Sequence, residues 1–177
     1  MKKQKKQLLI LLIALVVLGV GYFGITKYNE SHMQAEEVVL QKNEYVIDID
    51  VNSVKRLEYS YNDQIYSFIK DGDTYKYEAD KYLNINQNKI KTMRNYMAHL
   101  GVKQILEDVT DMAAYGLDDP QRYISFETAE KKYTILVGIR NEYTGDFYIC
   151  QEGMDDVYIV ASTAVTIYNK TIEDMIE

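Results

Sequence analysis

An uninterrupted apolar run constrains this chain more than any other feature of its sequence. The run LLILLIALVVLGVGYFGI occupies positions 8–25 and follows the basic start MKKQKKQ. As a helix it would be about 27 Å long, close to the hydrocarbon thickness of a bilayer. Four lysines precede it, whereas only Lys27 follows it before an acidic stretch. The run therefore predicts a membrane-spanning helix with its N-terminus in the cytoplasm and the remainder of the chain outside.

This span divides the chain into a cytoplasmic basic head (1–7), a transmembrane anchor (8–25), a polar stalk or linker (26–43) and an extracytoplasmic α+β domain (44–177). A cleaved signal peptide is the alternative, because Leu8 to Leu18 would make an acceptable apolar core and Gly19-Val20-Gly21 offers small residues to a peptidase. The apolar character continues to Ile25, which favours an uncleaved anchor. We therefore expect a single-pass protein of the cell membrane.

The same run contains the dinucleotide-binding pattern G-x-G-x-x-G at positions 19–24. A true fingerprint needs a short strand before it and a helix after it, within a βαβ unit. Here eleven apolar residues precede Gly19, about twice the length of an ordinary strand. We expect no nucleotide ligand and interpret these glycines as part of a membrane helix, where glycine is common.

The charge of the remaining chain excludes one class of partner. Residues 27–177 carry all 27 acidic residues but 16 of the 20 basic ones, a net charge of −11. A nucleic-acid-binding domain needs a basic footprint, so we expect no nucleic acid partner. The same acidic balance argues against electrostatic adhesion to anionic lipids or wall polymers.

Motifs that carry catalytic chemistry are missing from the sequence. No GxSxG, HExxH, CxxC or Walker pattern occurs, and one cysteine with two histidines is a poor basis for a zinc site. We interpret Cys150 as a small buried hydrophobic residue, and we expect neither a cofactor nor a metal. Acid pairs such as Asp48 and Asp50 leave an envelope hydrolase as the least favoured class.

Period-two patterns on both sides of one amphipathic segment predict an α+β domain with two antiparallel β-meanders and packed helices. The first meander covers residues 45–78 and the second covers 123–161. The segment between them predicts a helix over Gln87–Leu100, capped by Asn86 and stopped by Gly101, with His99 in its last turn. Ser162 is predicted to cap a final helix. Its apolar face comprises Ala164, Ile167, Tyr168, Ile172 and Met175.

Tyrosine dominates the aromatic residues, with seventeen against four phenylalanines and no tryptophan. Tyr59 and Tyr61 alternate along one predicted strand, and Tyr75 and Tyr77 along another, so each pair shares a strand face. Such tyrosines usually pack in a sheet, but their rings also suit a strip that binds sugars or a partner. These four residues are our candidate binding surface.

A distinctive turn begins at Tyr115-Gly116-Leu117-Asp118-Asp119-Pro120, and a TILVG strand that ends at Gly138 follows it. Aromatic strands (DFYIC and VYIV) and a helix come next. This order resembles the bacterial family catalogued as domain of unknown function 4340, over roughly residues 44–176. The resemblance is looser upstream, where Tyr75 or Tyr77 stands near a position that is usually tryptophan in the family.

The resemblance implies little chemistry, because the family has no established activity or catalytic residues. Some members occur with ABC-type transport systems of the gliding-motility kind, which implies an accessory role outside the cytoplasm. Gly116 fits a helix stop and Pro120 a rigid turn, so we interpret the motif as structural. Its residues are Tyr115, Gly116, Leu117, Asp118, Pro120 and Gly138.

Two functions remain in view from the sequence. The first is a non-enzymatic accessory module that binds a protein partner at the membrane surface, such as an ABC-type transporter complex. The alternative is a surface module that binds a glycan or another small ligand through the tyrosines of the sheet.

Overall fold

A computed structural model of the protein describes residues 45–177. The predicted basic head, membrane anchor and stalk lie outside the described residues. Within residues 45–177, no helix combines the length and the apolar character that a membrane span requires.

The described chain is rich in strands and has few helices. The strands are β1 (Tyr45–Asp48), β2 (Arg56–Tyr61), β3 (Gln64–Asp71), β4 (Thr74–Tyr77), β5 (His99–Gly101), β6 (Gln104–Leu106), β7 (Arg122–Glu127), β8 (Lys132–Arg140), β9 (Phe147–Gln151) and β10 (Val157–Val160). The helices are α1 (Gln87–Ala98), α2 (Ser162–Thr166) and α3 (Ile172–Met175). Two 3₁₀ turns cover Val51–Ser53 and Met112–Tyr115. An antiparallel α+β fold, as the sequence predicted, is therefore confirmed.

One sheet of eight strands organises the domain, in the order β4-β3-β2-β7-β8-β9-β10-β6. All of its neighbours pair in antiparallel fashion. The two predicted meanders join in this sheet, because β2 pairs with β7 from Arg56↔Glu127 to Tyr59↔Ile124. The first strand of the first predicted meander, β1, lies outside it. Strands β1 and β5 form a separate antiparallel pair.

The larger hydrophobic core lies between one face of the sheet and the helices. Strand residues such as Leu57, Phe68 and Phe126 are almost fully buried there. Met93 of α1 and Tyr168, which follows α2, belong to the same cluster. Burial of aromatic and aliphatic side chains of this kind is the main stabilising contribution in a domain of this size.

A smaller hydrophobic cluster covers part of the opposite face. Leu117, Cys150 and Val157 are its buried members, and the partly buried side chains packed against them include Leu106 of β6 and Met112 and Tyr115 of the second 3₁₀ turn. This cluster reaches across β8, β9, β10 and β6. Cys150 is 3% exposed, and burial raises the pKa of its thiol, which confirms the interpretation of a buried hydrophobic residue.

The outer edge of β4 is engaged by a side chain of α1. The amide oxygen of Gln87 accepts from the backbone N–H of Tyr75 at 2.8 Å, and its nitrogen donates to the carbonyl of Tyr75 at 3.0 Å. Gln87 stands in the first turn of α1, directly after Asn86, whose side chain caps the helix as predicted.

The end of α1 differs from the prediction. The helix stops at Ala98, and His99–Gly101 form β5, which pairs with β1. Gly101 is therefore a strand residue and not a helix stop. His99 is the C-cap residue of α1, and its Nδ1 lies 2.7 Å from the Oδ1 of Asp48 across the two strands.

The final helix was also predicted incorrectly. Two short helices, α2 and α3, replace it, and the N-cap of α2 is Ala161 rather than Ser162. Thr171 begins α3 with a reciprocal capping box to Asp174. In a capping box, the side chain of each of the two residues accepts a hydrogen bond from the backbone N–H of the other. This arrangement starts a new helix, which explains the interruption.

Candidate functional site

On the face of the sheet opposite the helices, no hydrophobic cluster of residues 45–177 covers the half formed by β4, β3, β2 and β7. The smaller cluster ends at β8, and beyond it Ile65 of β3 is 59% exposed. Because successive residues of a strand point to opposite faces, the outward residues of β4, β3, β2 and β7 can be read from the pairing register. We call these residues the open face: Arg56, Glu58, Ser60, Ile65, Ser67, Ile69, Asp71, Thr74, Lys76, Glu78, Tyr123, Ser125 and Glu127.

A polar network centres on Glu58 in the open face. The guanidinium of Arg56 lies 3.1 Å from Glu58 and 2.7 Å from Glu78. The hydroxyl of Tyr123 donates to the other oxygen of Glu58 at 3.1 Å. Only 16% of the Glu58 side chain is exposed, so this carboxylate is held in one position from two sides.

Ser67 lies beside this network with its hydrogen-bonding capacity unused. It is directly opposite Glu58 in the β2–β3 register and is 8% exposed. Its hydroxyl is buried and has no hydrogen-bond partner within residues 45–177. Because most buried polar atoms in proteins are hydrogen-bonded, this orphaned hydroxyl distinguishes the open face from an ordinary solvated sheet surface.

The pKa of the Tyr123 hydroxyl should depend on the charge of Glu58. Burial, the charge of Glu58 and the hydrogen bond to it raise the pKa of Tyr123 to about 12, against an ordinary value of 10.0. Since the pKa is raised on folding, the stability from neutral Tyr123 is complete below pH 10 and is lost as the pH rises towards about 12. Replacement of Glu58 by glutamine should lower this pKa, while burial keeps it above 10.0.

Tyrosinate absorbance measures this effect. The titration curve of Tyr123 is the difference between the wild-type protein and Tyr123→Phe, and it should shift to lower pH in the Glu58→Gln background. Glu107→Gln, an exposed glutamate beyond β6, serves as the control and should leave the curve in place. An identical curve with and without Glu58 would contradict the network.

The tyrosines that the sequence offered as a binding strip do not form one. Tyr59 is 0% and Tyr75 is 3% exposed, so neither ring can reach a ligand, and their assignment to a binding surface was wrong. The hydroxyl of Tyr59 donates to the carbonyl of Lys170 at 3.2 Å, and that of Tyr75 donates to the carbonyl of Val54. Both are core residues whose polar ends have found internal partners.

The other two tyrosines of that set are only partly buried. Tyr61 lies under the guanidinium of Arg122, 5.8 Å from the ring centre, and Tyr77 packs at 5.5 Å against Phe68 with its ring tilted by 43°. Each ring therefore has its own contacts inside the domain.

The YGLD-x-P turn packs the segment that precedes β7 against the sheet. Gly116 adopts a left-handed conformation at φ 66°, which ends the 3₁₀ turn and which glycine tolerates best. Tyr115 then meets Tyr148 edge to face at 5.0 Å, and Leu117 is buried. Asp118 is exposed and Pro120 is half-buried, both in the connection to β7.

Gly138 of β8 permits this close approach. A Cβ atom at position 138 would lie 2.1 Å from the carbonyl oxygen of Tyr115 and 3.0 Å from Leu117. Only glycine leaves room for a backbone carbonyl at that distance. Gly116, through its left-handed conformation, and Gly138, through its missing side chain, therefore both permit the close contact between the YGLD-x-P turn and β8.

The acidic pairs considered for hydrolysis have local roles. Asp48 contacts His99, and Asp50 accepts hydrogen bonds from the backbone N–H and the side chain of Asn52. Asp156 accepts from the N–H of Asp108. Within residues 45–177, no three His, Cys, Asp or Glu side chains are grouped to hold a metal ion.

The sequence carries only part of the signal for the open face. Ser60, Ser67 and Ser125 occupy strand positions that alternate with buried aromatic residues, and Glu58 lies two positions before Ser60. Small hydroxyl residues at outward positions of three strands signal a flat polar surface. That signal becomes visible only when the pairing of β2 with β7 is known.

Comparison with known proteins identifies the family. A family model described as "Domain of unknown function (DUF4340)" matches residues 76–177, from β4 to the last residue. Neither a curated protein nor a solved structure matches the chain. The matched segment contains the YGLD-x-P turn and Gly138, the residues on which the resemblance was based. Because it spans more than half of the 177 residues, the chain belongs to the DUF4340 family.

Proposed function

We propose that this protein is a non-enzymatic accessory module. In this proposal the segment 8–25 anchors it in the cell membrane, and the domain outside the cytoplasm binds a protein partner through the open face. The partner belongs to a membrane complex such as an ABC-type transporter. The observation that carries the proposal is the outer side of β4, β3, β2 and β7, which no hydrophobic cluster of residues 45–177 covers and on which the polar network of Glu58 is fixed.

The dimensions of the open face suit a transient protein contact. Four neighbouring strands at about 4.8 Å spacing, each about six residues long, present roughly 19 by 20 Å. Weak signalling and accessory encounters bury less than about 1,200 Å² in total, whereas permanent complexes bury considerably more. A face of this size therefore favours a partner that binds and leaves.

The chemistry of the open face points the same way. Its charges are mixed, with Arg56 and Lys76 beside Glu58, Asp71, Glu78 and Glu127, as in the polar interfaces of partners that also exist apart. Arginine and tyrosine are the residue types most often responsible for affinity at interfaces. Arg56 and Tyr123 are both hydrogen-bonded to Glu58, so their side chains are already positioned for contact with a protein partner.

Site-specific photo-crosslinking in intact membranes tests the proposal. A photoreactive amino acid at Ile65, and in a second variant at Lys76, should yield the same protein adduct. Tyr96 is the matched control, because it is 44% exposed but lies on α1, which packs against the other face of the sheet. It should not yield that adduct.

Two results would overturn the proposal. One is the absence of any adduct from Ile65 and Lys76, and the other is an identical set of adducts from all three positions. Far-ultraviolet circular dichroism of each variant checks that the sheet is intact. If the adduct forms, Arg56→Ala should weaken it, because that change releases both Glu58 and Glu78.

A further inference from the structure

A groove of about 460 Å³ opens at one end of the sheet, apart from the open face. The turn Val51–Ser53 and the connection between β7 and β8 form its walls, and Lys55, Lys70 and Tyr133 also line it. This volume lies within the range of small-molecule sites, about 300–1,000 Å³. We call it the lysine groove.

Two lysines face each other across neighbouring strands in this groove. The N–H of Lys70 donates to the carbonyl of Lys55 at 2.8 Å, so the two residues are opposite each other at the end of β2 and β3. Their side chains leave the same face as the buried pair Leu57↔Phe68, because they are two positions away from it. Like charges directly opposite each other in a sheet are destabilising.

No acidic side chain of residues 45–177 forms an ion pair with either of these lysines. Lys70 donates to the neutral carbonyl of Asn52 at 3.3 Å. Two carboxylates, Asp50 and Glu130, also line the groove, and Asp50 accepts hydrogen bonds from Asn52. Because Lys55 and Lys70 have no ion pair to break within residues 45–177, both ammonium groups can turn towards an anion in the groove.

The walls of the lysine groove are fixed in place. The hydroxyl of Thr128 accepts from two backbone N–H groups of the hairpin, at 3.2 and 3.1 Å, and donates to the carbonyl of Lys131. Tyr133 stacks on the buried Phe126 at 5.2 Å, and the ammonium of Lys131 lies 4.8 Å above its ring. Tyr133 thus gives the lysine groove an aromatic wall, with a further cation over its ring. Such pre-organisation lowers the entropic cost of binding.

We propose that the lysine groove binds a small ligand through a phosphate or carboxylate group, with Lys55 and Lys70 as the groups that hold the oxyanion. The size of the ligand follows from the surrounding charge. Residues 27–177 carry a net charge of −11, which repels a long polyanion, whereas a small oxyanion needs only the local cluster of lysines. The groove is separate from the proposed protein contact, so either can fail without the other.

Thermal unfolding of the full-length protein in detergent tests this site. Inorganic phosphate at constant ionic strength should raise the unfolding midpoint by about 3 °C, since a ligand that binds only the folded state stabilises it. Glucuronate in place of phosphate shows whether a carboxylate on a sugar is accepted, and neutral glucose should have no effect. A shift with either anion supports the proposal, and the pattern identifies the oxyanion.

The variant Lys70→Gln makes the test specific. It should weaken binding of the effective anion by at least about tenfold in calorimetric titration. Without the anion it should raise the unfolding midpoint by about 1–3 °C, because repulsion from Lys55 is removed. Lys81→Gln is the matched control, because it removes the same charge from an exposed loop residue outside the groove.

Two outcomes would overturn the site. One is the lack of a shift with both anions, and the other is an equal shift in wild type and Lys70→Gln, which would show a general salt effect. The Lys81→Gln variant should behave like wild type in both measurements.

Discussion

Replacement of Gly138 by alanine is expected to destabilise the domain by about 3 kcal/mol, at the upper end of what overpacking usually costs. The added methyl group would stand 2.1 Å from the carbonyl oxygen of Tyr115, a backbone atom that cannot rotate away. Residues 106–117 would have to shift off the sheet, and Leu117 would lose its buried position. Chemical denaturation followed by circular dichroism measures the change in the free energy of unfolding.

Gly101→Ala is the matched control for that prediction. Gly101 is also a strand glycine, and a Cβ atom there would meet nothing closer than the ring of Tyr45 at 3.9 Å. We expect this variant to stay within about 1 kcal/mol of wild type, because the added methyl restricts mainly the unfolded chain. Similar losses in both variants would show that the cost lies in the loss of glycine itself and not in the contact with Tyr115.

Tyr168→Ala is expected to cost about 3–5 kcal/mol, as for other large aromatic side chains removed from a core. The side chain of Tyr168 is 0% exposed and meets Tyr59 edge to face at 5.6 Å. Its hydroxyl donates to the carbonyl of Met93 at 2.6 Å, which joins the C-terminal residues to α1. The truncation would therefore leave a cavity and also remove a link between two helical segments.

Tyr168→Phe separates these two contributions. It keeps the packing but removes the hydrogen bond to Met93, so we expect a loss of about 1–2 kcal/mol. Tyr82→Ala, at a residue that is 100% exposed, should change the free energy of unfolding by less than about 0.5 kcal/mol. The same denaturation experiment ranks the three variants. A loss for Tyr168→Ala no larger than that for Tyr82→Ala would refute the proposed core.

Local patterns in the sequence predicted most of the strands and the start of α1. Alternation of apolar and polar residues identifies β2, β3, β7 and β8, because each has one face in the core. Asn86 marks the start of α1 through the hydrogen bonds of its side chain to two backbone N–H groups. These signals act over a few residues, which is why they can be read from a single chain.

Features that depend on distant pairing could not be read in this way. The contact between β2 and β7 joins residues more than sixty positions apart, and no periodicity encodes it. The same limit applies to His99, which was predicted in the last turn of α1 but pairs with Asp48 in β1. Cross-strand competition for the backbone overrides helical preference there.

The candidate sites also differ in whether they depend on local sequence patterns or on pairing between distant residues. The tyrosine alternation correctly indicated strand residues but could not tell which face the helices cover, so Tyr59 and Tyr75 were assigned to a surface. The open face and the lysine groove both arise where separate strands meet. Glu58 belongs to a site only together with Tyr123 of β7, and Lys55 only together with Lys70 of β3. The sequence around each residue does not show these pairings.

The contact of Gln87 with β4 has a consequence for the aggregation of the protein. An edge strand with free N–H and C=O groups is a template on which another sheet can grow, and sheets with such edges tend to aggregate. The side chain of Gln87 occupies both groups of Tyr75, as a neighbouring strand would. A single amide thus blocks this edge at Tyr75, which disfavours growth of the sheet through β4.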